Sequence, residues 1–95
     1  MKNKASKKWC MYVVECSDGT LYTGITNNLS KRINEHNFGN RPAKYTRSRR
    51  PVKLIYNIEY NSHSEAASAE WKFKKLSRNK KLEVINEKGV TRKTI

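Results

Sequence analysis

Acidic residues are scarce in this chain. Its 95 residues include 8 Asp and Glu against 21 Lys and Arg, a formal charge of +13 at pH 7. A surplus of that size favours a polyanionic partner, nucleic acid first and an anionic membrane surface second. Cysteine is sparse too, with Cys10 and Cys16 the only two. On one strand they stand roughly 20 Å apart at about 3.3 Å per residue, beyond the ~7 Å between Cα atoms that a disulfide spans. They form no C-x-x-C spacing, and His36 and His63 complete no zinc pattern, which leaves two reduced structural thiols. Long apolar runs are missing: nothing approaches the ~18 residues of a membrane span. The stretch from Met1 to Lys8 lacks the apolar centre of a signal peptide. The expectation is a soluble, cytoplasmic protein without a membrane partner. No repeat or linker appears, and 95 residues suit one domain with a small core. Hydrophobic residues at 36% are enough for a fold and argue against plain disorder.

The order of elements is legible. Residues 1–8 read as a disordered basic arm, residues 9–88 as the domain and residues 89–95 as a frayed tail. Trp9 to Cys16 and Thr20 to Ile25 are rich in β-formers and flank the turn signal Ser17-Asp18-Gly19. Val52, Leu54, Tyr56, Ile58 and Tyr60 alternate with Lys53, Asn57 and Glu59 after Pro51 and mark a third strand. Asn27-Asn28 can cap a helix over 29–37 that stops near Gly39. Ser62-His63-Ser64-Glu65 resembles a capping box that opens a helix to about Leu76. Ser77 can cap a third helix over 78–88, with Gly89 as its stop. Between the first helix and the third strand, residues 41–50 form a basic loop or a short helical turn. The order β-β-α-(loop)-β-α-α predicts a small α+β domain, a three-stranded antiparallel sheet flanked by helices.

Three charged or titratable residues fall where apolar ones are expected. With Leu29 at 0° and about 100° per residue, Ile33 lies at about 40°, Arg32 at about 300° and His36 at about 340°. Arg32 and His36 are neighbours one turn apart, beside or on the apolar stripe. Arg32 can be a stripe-edge side chain that reaches water, and His36 a half-buried histidine with a backbone partner. On the next helix Glu70 borders the stripe of Ala66, Ala69 and Phe73, where a carboxylate needs an ion pair or a metal. Trp71, at about 140° from Ala66, packs under the third helix or stacks on a base. A two-residue hairpin loop puts Tyr12 and Tyr22 on opposite faces. A three-residue loop with Gly19 in the left-handed region pairs Cys16 with Thr20 and places both tyrosines on one face.

The ordered set resembles the GIY-YIG endonuclease family. Cys10-Met11-Tyr12 stands in place of the first motif and Tyr22-Thr23-Gly24 in place of the second, about ten residues later. Leu29-Ser30-Lys31-Arg32 is similar to the family's helix segment with its arginine, and Glu70 lies in the helix that carries its carboxylate. Lys44-Tyr45-Thr46-Arg47, Arg50-Pro51-Val52 and Lys75-Leu76-Ser77-Arg78 resemble the short stand-alone members. The first motif keeps only its tyrosine, and Thr23 replaces isoleucine in the second.

The resemblance implies a divalent-metal-dependent hydrolysis of phosphodiester bonds in DNA. Glu70 would hold Mg²⁺ or Mn²⁺, a hard cation suited to a carboxylate, waters and phosphate oxygen. Arg32 suits the phosphate. Tyr12 would be the general base, Tyr22 would orient water or phosphate, and the two roles are exchangeable. His36 would polarise a tyrosine or relay its proton. Gly24 leaves room beside Tyr12. Lys44, Arg47, Arg49 and Arg50 form one candidate DNA-binding segment; Lys72, Lys74, Lys75, Arg78, Lys80 and Lys81 form a second. Such contacts are largely sequence-blind. The alternatives are a non-catalytic basic nucleic-acid-binding module on the same fold, or a basic structural or ribosome-associated protein. No residue names a partner protein that would supply specificity.

Overall fold

Seven elements follow one another in the computed structural model, which describes residues 8–40 and 43–93. They are β1 (Trp9–Glu15), β2 (Leu21–Thr26), α1 (Leu29–Phe38), α2 (Lys44–Arg47), β3 (Lys53–Tyr60), α3 (His63–Lys74) and α4 (Arg78–Lys93). The expected arm falls almost wholly on residues 1–7, outside the described ones, and Lys8 is exposed. The strands make one antiparallel sheet in the order β2-β1-β3. Among the described residues no helix is long and apolar enough to cross a membrane.

The central strand explains the layering. From Cys10 to Val14 every residue of β1 is buried, because both faces of the sheet are covered. Met11 and Val13 pack with Tyr56, Phe73 and Ile85 under α3 and α4. Tyr12, Val14 and Cys16 pack with Val52, Leu29 and Ile33 under α1. Both cysteines are buried free thiols, and burial pushes each above its ordinary pKa.

The hairpin takes the three-residue loop. Gly19 has φ +85°, Cys16 N–H donates to Thr20 O at 2.8 Å, and Gly19 N–H donates to Cys16 O at 2.9 Å. Val14 therefore faces Tyr22, and Tyr12 faces Gly24. Strand β3 holds an irregularity where Ile55 interrupts the alternation of its sequence. Val13 pairs with Tyr56 but Val14 pairs with Leu54, so Ile55 is an extra residue and the phase of the strand inverts there. Val52 and Leu54 consequently join the α1 layer, while Tyr56, Ile58 and Tyr60 join the α3 and α4 layer.

Caps set the helices. Asn28 accepts from Lys31 N–H and opens α1; Ser62 accepts from Glu65 N–H and opens α3. The Glu65 carboxylate reaches back to Asn61 N–H at 3.1 Å, one residue before the cap. α4 corrects one expectation, because it passes through Gly89 and reaches Lys93. Glycine costs a helix about 1 kcal/mol relative to alanine, but it keeps its N–H donor and does not break the hydrogen-bond ladder.

The end of α1 is clamped to the start of β3. Asn37 Nδ2 donates to Val52 O at 3.0 Å, and Val52 N–H donates to Asn37 Oδ1 at 2.6 Å. Replacing Asn37 with alanine leaves both main-chain groups of a buried residue without these partners, at about 1–3 kcal/mol. Urea unfolding of Asn37→Ala should show that loss as a lower midpoint with an unchanged slope.

Candidate active site

Tyr12 and Tyr22 lie diagonally on the α1 face of the sheet, and Gly24 makes that arrangement possible. A Cβ on Gly24 would stand 2.6 Å from Tyr12 Oη and 2.8 Å from Cζ, so the phenol lies across the space a side chain would fill. Its hydroxyl points to α1 and meets His36 Nε2 at 2.7 Å. His36 is fully buried, and its other nitrogen, Nδ1, lies 2.9 Å from Thr46 Oγ1 on α2.

The polarity of this chain follows from its far end. Thr46 Oγ1 donates to Ala43 O at 3.1 Å, and a carbonyl can only accept. The threonine oxygen is then an acceptor toward His36, which carries its proton on Nδ1. Nε2 keeps its lone pair and accepts from the Tyr12 hydroxyl. Burial, with the charge of Arg32 next and Arg50 after the opposing Glu35, pulls the His36 pKa down from 6.5 to about 4. Burial likewise pushes the Tyr12 phenol up to about 12, against the hydrogen bond from Arg32. At pH 7 the pair is neutral.

Arg32 stands where this closed cluster meets solvent. Its Nη1 donates to Glu35 Oε1 at 2.9 Å. Burial lowers its pKa, but the hydrogen bonds with Glu35 and Tyr12 outweigh that and raise it above its ordinary value. With Thr26, Asn28, Lys31 and Glu35 it lines a depression of about 240 Å³. Tyr22 is half-buried, with its ring edge-on to His36 at 5.4 Å and stacked on Tyr45 at 5.9 Å. A second depression, of about 290 Å³, is lined by Leu21, Tyr22, Thr23, Tyr45, Lys74 and Lys81. Adjacent strand residues point to opposite faces. A depression lined by both Tyr22 and Thr23 therefore wraps around the outer edge of β2.

The structure brings Tyr12, Tyr22, Arg32 and His36 together, while Glu70 lies on α3, the helix that packs against the other face of the sheet. α3 packs Ala66 and Phe73 into the apolar core, with Phe73 in the Met11 and Val13 layer. Glu70, on the flank of that helix with a side chain 23% exposed, pairs with Lys74 at 3.1 Å. Lys74 is the link, since it also lines the depression at the β2 edge. Among the described residues no three His, Cys, Asp or Glu side chains form a metal-binding group.

The basic residues divide in the same way. Lys44, Arg47, Lys72, Lys75 and Arg78 are exposed. Arg50 instead donates to His36 O at 2.8 Å and Gly39 O at 2.7 Å, closing the end of α1. Arg49 pairs with Asp18 at 3.0 Å, donates to Tyr45 O at 2.8 Å and covers the Tyr45 ring at 4.1 Å. Trp71 does not pack under α4; it is 60% exposed. Sequence reasoning missed Thr46 as a partner of His36, Tyr45 as a support for Tyr22, and Glu35 as a partner of Arg32. The short basic segment stands out in the sequence by its charge and by its resemblance to the short stand-alone members, neither of which marks the Thr46 hydroxyl or the Tyr45 ring.

The fold and site define a single α+β domain with a tyrosine, histidine and arginine cluster on one sheet face. The chain belongs to the GIY-YIG family: the GIY-YIG catalytic domain matches residues 8–83. It is 49% identical over 83 residues to a UPF0213 protein of Desulfotalea psychrophila, covering 85% of this chain and 76% of that one. It is 54% identical over 77 residues to a UPF0213 protein of Streptococcus agalactiae, covering 81% and 86%. The solution NMR structure of a UPF0213 protein from Bacillus halodurans is similar with TM-score 0.58 and 39% identity, over 86% of each chain.

Two outcomes test the cluster. An unfolded chain protonates this histidine as the pH falls through 6.5, the folded chain only at about 4. Stability present at neutral pH is thus lost as the pH drops through that window, by up to roughly 3 kcal/mol. The His36 ring resonances should stay those of the neutral form at pH 5.5; a normal titration would contradict the geometry. Gly24→Ala pushes the phenol off His36, at about 1–3 kcal/mol, and should move the His36 titration back toward 6.5.

Proposed function

We propose that this protein is a divalent-metal-dependent endonuclease that hydrolyses phosphodiester bonds in DNA. The observation that carries the reading is the directed chain from Tyr12 through His36 to Thr46, placed beside Arg32. Hydrolysis needs a deprotonated water, and a phenol raised to about 12 is a poor source of phenolate at neutral pH. The chain avoids that species. As Tyr12 Oη takes a proton from water, its own proton passes to His36 Nε2, and Nδ1–H stays on Thr46. The hydroxide attacks phosphorus as the leaving oxygen departs.

A phosphate is what sets this relay working. Free His36 resists protonation partly because of the Arg32 charge. A phosphate bound to the guanidinium offsets that charge and favours the imidazolium. Arg32, hydrogen-bonded to Tyr12 in the free protein, would uncover that hydroxyl to water as it turns to the phosphate, with Tyr22 orienting water or phosphate from the half-open side. Among the described residues Glu70 belongs to no group of three His, Cys, Asp or Glu side chains, so it fits a hard cation only in company with waters and a phosphate oxygen. Mg²⁺ or Mn²⁺ held there would supply charge neutralisation at the departing oxygen. The exposed cations Lys44, Arg47, Lys72, Lys75 and Arg78 supply sequence-blind attraction.

One observation favours a second reading, a nucleic-acid-binding module without catalysis: Glu70 is neutralised by Lys74. Cleavage assays separate the two. Wild type is incubated with supercoiled, branched and single-stranded DNA, with Mg²⁺ or with chelator. Metal-dependent cleavage is expected, with Tyr12→Phe, Arg32→Ala and Glu70→Ala each slower by about 100-fold or more. Thr46→Val should cost about tenfold and Thr46→Ser should restore most of it. Binding without cleavage on every substrate would establish the second reading instead.

A further inference from the structure

Trp71 is an indole in an unusual place. It is 60% exposed on α3, and the ammonium of Lys75 lies over its ring, 3.8 Å from the centroid. At about 100° per residue, Lys74, Trp71 and Lys75 succeed one another around the outer side of the helix at intervals of about 60° and 40°. Lys74 lines the depression at the β2 edge with Tyr22 and Tyr45. The surface therefore continues from the candidate site across Lys74 to Trp71. Tyr45, the other aromatic there, has Tyr22 stacked on it and Arg49 over its ring, which leaves Trp71 as the ring able to receive another.

We propose that Trp71, flanked by Lys74 and Lys75, is a stacking site for an unpaired nucleobase next to the candidate active site. This rests on the nuclease reading for its purpose and names the substrate class: DNA with a single-stranded tail, gap or branch. Charge decides the occupant. Lys75 lies over the ring, Lys72 and Lys74 are exposed on the same helix, and the nearby carboxylate, Glu70, is already paired. An apolar protein partner would have to desolvate those ammonium groups, whereas a nucleotide supplies a phosphate for them and a flat π-face for the indole. Lys75 is an exposed and weakly held cover on the ring. As it turns to a phosphate, a base takes its position. Bases within a duplex are already stacked on their neighbours, so only an unpaired one is available.

The test is binding of the full chain in chelator, read by fluorescence anisotropy on a labelled 12-nucleotide single strand and on a blunt duplex. Trp71→Ala should weaken single-strand binding about tenfold and duplex binding by less than about twofold, and Trp71→Phe should keep most of the affinity. The dependence of log affinity on log salt should keep its slope, because stacking releases no counterion. In a Trp9→Phe background the remaining indole fluorescence should be quenched by the single strand. Equal loss on both ligands, unchanged single-strand binding by Trp71→Ala, or a reduced salt slope would each overturn the proposal. A chain that cuts nothing but shows this Trp71 dependence would defeat the nuclease reading alone. A chain that cuts without it would defeat the stacking site alone.

Discussion

The burial of one imidazole constrains much of the rest. His36 has no exposed surface, so both ring nitrogens need partners inside the protein. Tyr12 supplies one and can reach it only because Gly24 carries no side chain. Thr46 supplies the other, which requires the chain to return after α1 and place a four-residue helix against it. That return is pinned at several points. Arg50 closes the last turn of α1, Asn37 grips Val52, and Ser17 N–H donates to Arg49 O at 2.9 Å. Segment 43–52 is thus a strap that fixes a tautomer as well as a link between elements.

That strap changes what the charge of +13 means. Arg49 and Arg50 are committed to intramolecular hydrogen bonds, and Arg32 is shared between Glu35 and Tyr12. Guanidinium suits this work because its planar fork satisfies several carbonyls or carboxylates at once. Lysines are left to carry most of the exposed charge on α3, where flexible ammonium groups meet a polyanion without fixed geometry. Arginine holds the site together here, and lysine advertises it.

Local features were the legible ones. Ser17-Asp18-Gly19 admitted two hairpin registers, and the residues that decide between them act within the turn itself. The stripe on α1 exposed the anomaly of His36 because helical period is a local property. The β3 bulge was half legible, since Ile55 interrupts the alternation between Leu54 and Tyr56 but an apolar residue there does not by itself say that the phase inverts. Only the opposing faces of β1 reveal that Leu54 and Tyr56 belong to different layers. Thr46 was illegible for a related reason: its partner lies ten residues away in a helix, and nothing in Lys44-Tyr45-Thr46-Arg47 marks the hydroxyl as buried. Gly89 looked like a helix stop because glycine favours such ends, but tolerance of a stop does not impose one.

The placing of Glu70 on the helix across the sheet from Tyr12 has a physical sense when the sheet edge is considered. Tyr22 and Thr23 point to opposite faces, yet both line the depression that also takes Lys74. A ligand there touches the α1 side and the α3 side together, around β2. On the proposed reading, a phosphate entering at that edge competes for Lys74, whose ammonium is more exposed than the Glu70 carboxylate it neutralises. Once Lys74 turns to the phosphate, Glu70 is a half-buried anion without its counter-charge. Such a group binds a cation or a proton. Substrate would then create the demand for the metal ion, just as phosphate on Arg32 favours a proton on His36. On that reading the two proposed halves of the site, carried by helices on opposite faces of the sheet, would be coupled through the polyanion that bridges them.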